Sequence, residues 1–199
     1  MMGRKKLKPK FYIAHTFGER VTVRDELIPK LQKIGIITDN PFYNPDGSWK
    51  DSRPEVRLAD ELTSKGLNAE EIHKFTKKVR SNYENIVDTD LDMILDADGI
   101  IAYMQETSTG TTCEMWTCGG VFQWLAKKDM IPHRYLEAFL NKPVYLISRS
   151  SRLQFHPWIR YATVRVFKTQ GGLVNHLKKE MPRLRIQVKE RRKLEKSRN

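Results

Sequence analysis

Hydrophobic and polar residues alternate along this chain in two periods. Five short apolar runs, rich in β-branched and aromatic residues, lie at residues 11–14, 35–38, 99–104, 143–148 and 163–167; this is the length and composition of buried strands. Between them the period lengthens. Val23, Leu27, Leu31 and Ile34 follow helical spacing, predicting a helix over 21–33. A long helix is predicted over 69–95, with Asn68 as its cap and Ile72, Phe75, Val79, Ile86, Leu91 and Ile94 on its apolar face. A third helix is predicted over 112–127 and a fourth from residue 172 onward. Strands alternating with helices predict an α/β fold: a doubly wound, five-stranded parallel sheet in the order 2-1-3-4-5, flanked by helices. That order opens a ligand crevice at the C-terminal ends of strands 1 and 3.

Two stretches exceed this plan. Residues 40–67 are punctuated by Pro, Gly and Asp and are longer than ordinary connections, so they read as a lid or specificity loop, with Asp46 and Trp49 as candidates for lining a base pocket. Residues 128–141 extend the third helix region before strand 4. The organisation expected is a basic arm at 1–9, a single domain at 10–180 carrying both insertions, and a basic tail at 181–199 that frays or is disordered from about Lys189.

A chain of 199 residues, 39% hydrophobic and 30% charged, has the size and mix of one globular domain with a real core. No apolar run approaches the roughly 20 residues of a membrane span, and the basic N-terminus leads into too short an apolar stretch for a signal peptide. A cytoplasmic location without membrane attachment is therefore expected. The net charge of +12 is concentrated at the ends: residues 1–10 carry five Lys or Arg, and residues 178–198 are dense in both. Basic ends around a near-neutral middle imply weak nucleic-acid contact at most, and no zinc-finger or aromatic RNA-binding signature is present. Cys113 and Cys118 share one predicted helix with no His at ligand spacing, so they read as packing residues, and no metal site is expected.

Candidate chemistry concentrates between Asp90 and Gly120. An apolar strand passes into a Ser/Thr/Gly turn, Thr107 to Thr112, and then into a helix that begins near Glu114. A strand, a small-residue turn and a helix start make an anion-binding site, because unpaired amides point into the turn. A carboxylate beside a bound anion makes sense if Glu114 attacks what the turn holds. Asp88, Asp90 and Asp92 cluster at the carboxyl end of the long helix, and His15, Thr16, Gly18 and Arg20 follow strand 1. A carboxylate nucleophile with a second carboxylate nearby suits cleavage of a glycosidic bond. Read singly, Glu114 is a favourable charge in a first helical turn, Asp90 solvated surface and His15 a satisfied strand-end histidine. Only their joint placement at one switch point gives the functional reading weight.

Across roughly residues 11–176 the chain resembles the nucleoside 2-deoxyribosyltransferase superfamily, above all its 2′-deoxynucleoside 5′-monophosphate N-glycosidase branch, a family with a flavodoxin/Rossmann-like fold. The resemblance rests on Tyr12-Ile13-Ala14 with its polar turn, Asp90-Leu91 before Asp98, Ser108-x-Gly110-x-x-x-Glu114, and Lys142-Pro143-Val144. It implies that Glu114 is the nucleophile at C1′, that Asp90 orients the reactants and assists the departing base, and that Tyr12 lines the sugar pocket. It places Ser108 where nucleotide hydrolases bind a 5′-phosphate and nucleoside transferases tend to carry aspartate. It also implies phosphate contacts from Thr16, with Gly18 and Arg20 nearby.

The segment from Phe155 to Arg160 matches one that reaches into a neighbouring subunit's pocket, with His156 where serine is common. This implies a homodimer or higher oligomer with shared sites; Trp116, Phe122 and Trp124 either offer an apolar interface for it or pack against the sheet. The expected reaction is hydrolysis of a nucleoside 5′-monophosphate to free base and sugar phosphate, docked on Ser108, Gly110, Thr112 and the strand-1 turn, with no cofactor. Three rivals stand beside it: base exchange by a deoxyribosyltransferase, cleavage of a larger nucleotide such as NAD, and a nucleotide-binding module without catalysis.

Overall fold

The computed structural model describes residues 7–48, 50, 70–71, 74, 83–121, 124–125, 128, 130 and 142–196. Five strands, β1 (Lys10–His15), β2 (Ile37–Asp39), β3 (Gly99–Tyr103), β4 (Val144–Ile147) and β5 (Arg165–Phe167), form one sheet in the expected order β2-β1-β3-β4-β5. Every pairing is parallel, and the register sets Tyr12 opposite Ile100 and His15 opposite Tyr103. Side chains on a strand alternate between faces, so the two halves of each apolar run feed different cores. Phe11, Ile13, Ile101, Tyr145 and Ile147 face one layer; Tyr12, Ala14, Ile100, Ala102, Val144 and Leu146 face the other.

The first layer contains α1, a continuous helical run at residues 17–33 built from a 3-10 turn Phe17–Glu19, Arg20–Thr22, a π-turn Val23–Leu27 and Ile28–Lys33. Val23, Leu27 and Leu31 pack it on the sheet. It ends at Gly35, whose φ of +87° only glycine takes without strain, while Gly35 donates to the Gln32 carbonyl (2.9 Å) and Ile36 to that of Leu31 (3.1 Å). The run predicted as a strand at 35–38 therefore begins as a helix stop, and the strand starts at Ile37.

The second layer holds α2 (Tyr83–Asp96), α3 (Thr109–Trp116, continuing as the π-turn Thr117–Val121), α4 (Ser151–Phe155) and α5 (Pro157–Ala162). Ile94, Met115, Cys118, Leu153 and Ile159 bury its inner face. The predicted long helix is described continuously from Tyr83; Asn68, Ile72, Phe75 and Val79 lie outside the described residues, as do all of 51–69 and 131–141. Gly119 lets α3 approach α5 closely, since a Cβ there would fall 1.8 Å from the Ala162 carbonyl oxygen. Lys142 reaches back to the carbonyls of Ile94 (2.9 Å) and Leu95 at the end of α2, where a cation suits the helix dipole. Burial pushes that ammonium down to about 8.

The last helix, α6 (Gln170–Lys196), corrects the expectation of a frayed tail. Met181, Leu184 and Val188 continue its buried stripe past residue 180. Beyond them Arg191 pairs with Asp98 at 2.6 Å and donates to the Ala97 carbonyl at 2.8 Å. The Asp98 side chain is 6% exposed and also accepts from the Lys10 amide at 2.7 Å. Removing one partner of a buried pair strands the other charge. Arg191→Met is accordingly expected to lower stability by about 3 kcal/mol in urea unfolding, and Asp98→Asn in the same chain should recover part of the loss. Among the described residues, no helix is long and apolar enough to cross a membrane.

Candidate active site

A strand of the sheet and two helices of the second layer converge on one hydroxyl. β1 directs Tyr12 inward, where the residue is fully buried. Its phenol oxygen lies 2.9 Å from Glu114 Oε1 on α3 and 3.1 Å from Asp90 Oδ1 on α2. The bonds laid end to end hold the two carboxylate oxygens within about 6 Å of each other. A phenol carries one proton, so it donates to one carboxylate at a time, while its lone pairs accept from the other if that one is protonated. The trio can therefore pass a proton without moving a heavy atom. Asp88 and Asp92, flanking Asp90 on the same helix, point to solvent, whereas Asp90 and Glu114 are half-buried.

The turn before Glu114 folds differently from the expectation. Ser108 is the N-cap, in extended geometry, and its hydroxyl accepts from the Thr111 amide at 3.4 Å. The helix thus starts at Thr109, three residues earlier than predicted, which moves Glu114 from the first turn into the second. The Thr112 amide (3.0 Å) and hydroxyl (2.6 Å) both donate to the Ser108 carbonyl, so Thr112 is spent on the cap. The amides of Thr109 and of Gly110, around which there is open space, remain at the helix start for a bound group.

The strand-1 turn holds the larger surprise. His15 is buried, and both its ring nitrogens are engaged. Nδ1 lies 2.9 Å from the Thr16 carbonyl, which can only accept, so this nitrogen carries the proton. Asn40 gives its Oδ1 to the amides of Phe42 (2.8 Å) and Tyr43 (3.2 Å), which turns its NH₂ toward Nε2 at 3.0 Å. His15 is therefore a neutral structural residue that braces the start of the 40–67 segment and offers no donor to a substrate. Burial pushes its imidazolium down to about 4 from 6.5. Folding favours the neutral ring, so its contribution is complete above pH 6.5 and is lost as pH falls toward 4. A stability loss of up to about 3 kcal/mol over that window is expected in urea midpoints, and His15→Gln should flatten the slope.

Thr16 gives its amide (3.3 Å) and hydroxyl (3.1 Å) to Glu19 Oε2, while Glu19 Oε1 takes the Gln105 amide at 2.7 Å. Nothing in the local pattern marks Glu19 for this; it is an ordinary charge in a turn until β3 brings Gln105 alongside. Gly18 is exposed, and a Cβ there would meet only Thr16 Oγ1 at 3.8 Å. Arg20 is half-buried at the next turn. His156 is exposed between α4 and α5, where it is the N-cap of α5.

Beside it, Trp116 packs against Trp158 (4.9 Å between centroids) and stacks on Tyr161 (5.8 Å). With Val121, Trp124 and Pro157 they line an apolar groove of about 570 Å³; Phe122 lies outside the described residues. Asp46 is exposed in a turn, accepting from the Ser48 amide at 2.9 Å, and lines a crevice of about 170 Å³ that includes none of Tyr12, Asp90 and Glu114. Trp49 is outside the described residues. Burial pushes the Cys118 thiol up to about 11, as befits a packing residue, and Cys113 is exposed. No cluster of three or more His, Cys, Asp or Glu able to hold a metal occurs among the described residues.

No family model matches the chain, and no curated protein matches it. Among solved structures it is similar to a 2-deoxyribosyltransferase from the psychrotolerant bacterium Bacillus psychrosaccharolyticus. That similarity has 16% identity, covers 83% of this chain and 90% of the other, and gives a TM-score of 0.45.

Proposed function

We propose that this chain cleaves the N-glycosidic bond of a nucleoside-type substrate, with hydrolysis of a nucleoside 5′-monophosphate as the reaction that Ser108 favours. The observation carrying the reading is the Tyr12 hydroxyl held between Glu114 and Asp90. The separation of these two oxygens, at most about 6 Å, falls below the roughly 6.5–9.5 Å that inverting glycosidases keep for a water, which supports a retaining route. Glu114 attacks C1′ as the bond to the base breaks, and the electron pair leaves with the base. Asp90 delivers a proton to that base. Asp90 then takes a proton from water, which attacks C1′ and frees Glu114, releasing the sugar. Tyr12 orients the nucleophile, and the Thr109 and Gly110 amides with the Ser108 hydroxyl receive the phosphate. The route uses no metal or organic cofactor.

A second reading, base exchange on an uncharged nucleoside, is favoured by Glu19, whose negative charge sits at the switch point. Chromatography of the purified protein with every ribo- and deoxynucleoside monophosphate, and the matching nucleosides, separates them. Base released only from monophosphates supports hydrolysis. Turnover that requires a second base supports exchange. Silence on every substrate refutes both.

A further inference from the structure

The sheet order reverses between β1 and β3, so the loops leaving their C-terminal ends diverge and expose backbone amides there. Those amides are where an anion would settle. In this chain a side chain already occupies them. The Glu19 carboxylate receives the Thr16 amide, the Thr16 hydroxyl and the Gln105 amide, at 3.3, 3.1 and 2.7 Å. Gln105 in turn accepts from the Arg149 amide at 3.0 Å, so the loop after β4 is held in the same arrangement.

We propose that Glu19 is a specificity-determining residue: an internal anion that competes with a substrate's 5′-phosphate for the strand-1 turn and biases that turn toward a neutral hydroxyl. The assignment of a nucleoside as ligand rests on the N-glycosidase reading; the competition itself does not. An amide proton serves one strong acceptor at a time, so a phosphate entering the strand-1 turn must displace Glu19 and break its three bonds. A dianion there is penalised. A hydroxyl is not, because a carboxylate offers about four lone-pair positions and three are in use here, leaving one to accept a 5′-OH.

The test is an NMR titration with inorganic phosphate, following the amides of Thr16, Gln105, Thr109 and Gly110 in the wild type and in Glu19→Gln. The glutamine keeps the size of the side chain and one acceptor while removing the charge. Half-saturation at Thr16 and Gln105 is expected to fall at least about tenfold in the variant. Equal affinity in the two proteins, including no binding in either, overturns the proposal. The wild type alone supplies a second check should the variant not fold: phosphate that shifts all four amides together means Glu19 is no barrier.

Catalysis separates this proposal from the one it rests on. A wild type that cleaves neither nucleosides nor monophosphates, with the phosphate effect present, removes the N-glycosidase reading and keeps Glu19 as competitor. Cleavage whose monophosphate-to-nucleoside kcat/KM ratio is unmoved by Glu19→Gln removes Glu19 and keeps the reaction.

Discussion

Glu114→Ala is expected to cut base release by roughly 10⁴-fold or more, the scale on which loss of a covalent nucleophile is felt. Substrate binding should persist, because the contacts assigned to the sugar and its 5′ end come from other residues. The fold should persist as well, since the Tyr12 hydroxyl keeps its bond to Asp90. Glu114→Gln sharpens the test: it preserves an acceptor 2.9 Å from the phenol and removes only the nucleophilic charge. Both variants are to be assayed for turnover and, by calorimetry, for binding of the unreacted substrate. A glutamine variant that turns over normally would make Glu114 a structural acceptor for Tyr12. An alanine variant that fails to fold would say the same.

Asp90→Asn is expected to slow turnover about 10²–10⁴-fold, the usual contribution of a positioned acid or base. Asparagine keeps a carbonyl oxygen for the Tyr12 hydroxyl, so packing around the phenol should change little. The diagnostic readout is the dependence on the leaving base. If Asp90 protonates that base, substrates whose base departs readily without a proton should lose least, and those with a poor leaving base should lose most. A uniform loss across leaving groups would reduce Asp90 to a positioning residue. A loss confined to KM would place it in substrate binding.

Much of the architecture can be read from the linear chain because its cause is local. The side-chain period of two that splits Phe11 and Ile13 from Tyr12 and Ala14 follows from the pleat of a strand. The spacing of Val23, Leu27 and Leu31 follows from the turn of a helix. Strand order then follows from the alternation of the two elements and the right-handed crossover connections that parallel strands require. Boundaries were less legible. Ser108 rather than Thr112 opens α3, because a cap depends on which hydroxyl lies over the first amides, and several candidates adjoin there. The stripe of Met181, Leu184 and Val188 was hidden by the surrounding Lys and Arg, although its spacing is helical.

The sequence by itself determined the sheet, its order, and the candidacy of Asp90 and Glu114 as a carboxylate pair. Tertiary structure alone decided what those residues meet. Tyr12 lies 78 and 102 positions from its two partners, Glu19 lies 86 from the Gln105 amide, and Arg191 lies 94 from Ala97. Periodicity is written by hydrogen bonds between near neighbours, so it survives in the linear chain. Contacts at such separations are set by the packing of whole layers and by strand register, which no local pattern encodes. The same packing removed His15 from the site: its burial and both its ring bonds depend on Asn40, brought alongside from the end of β2.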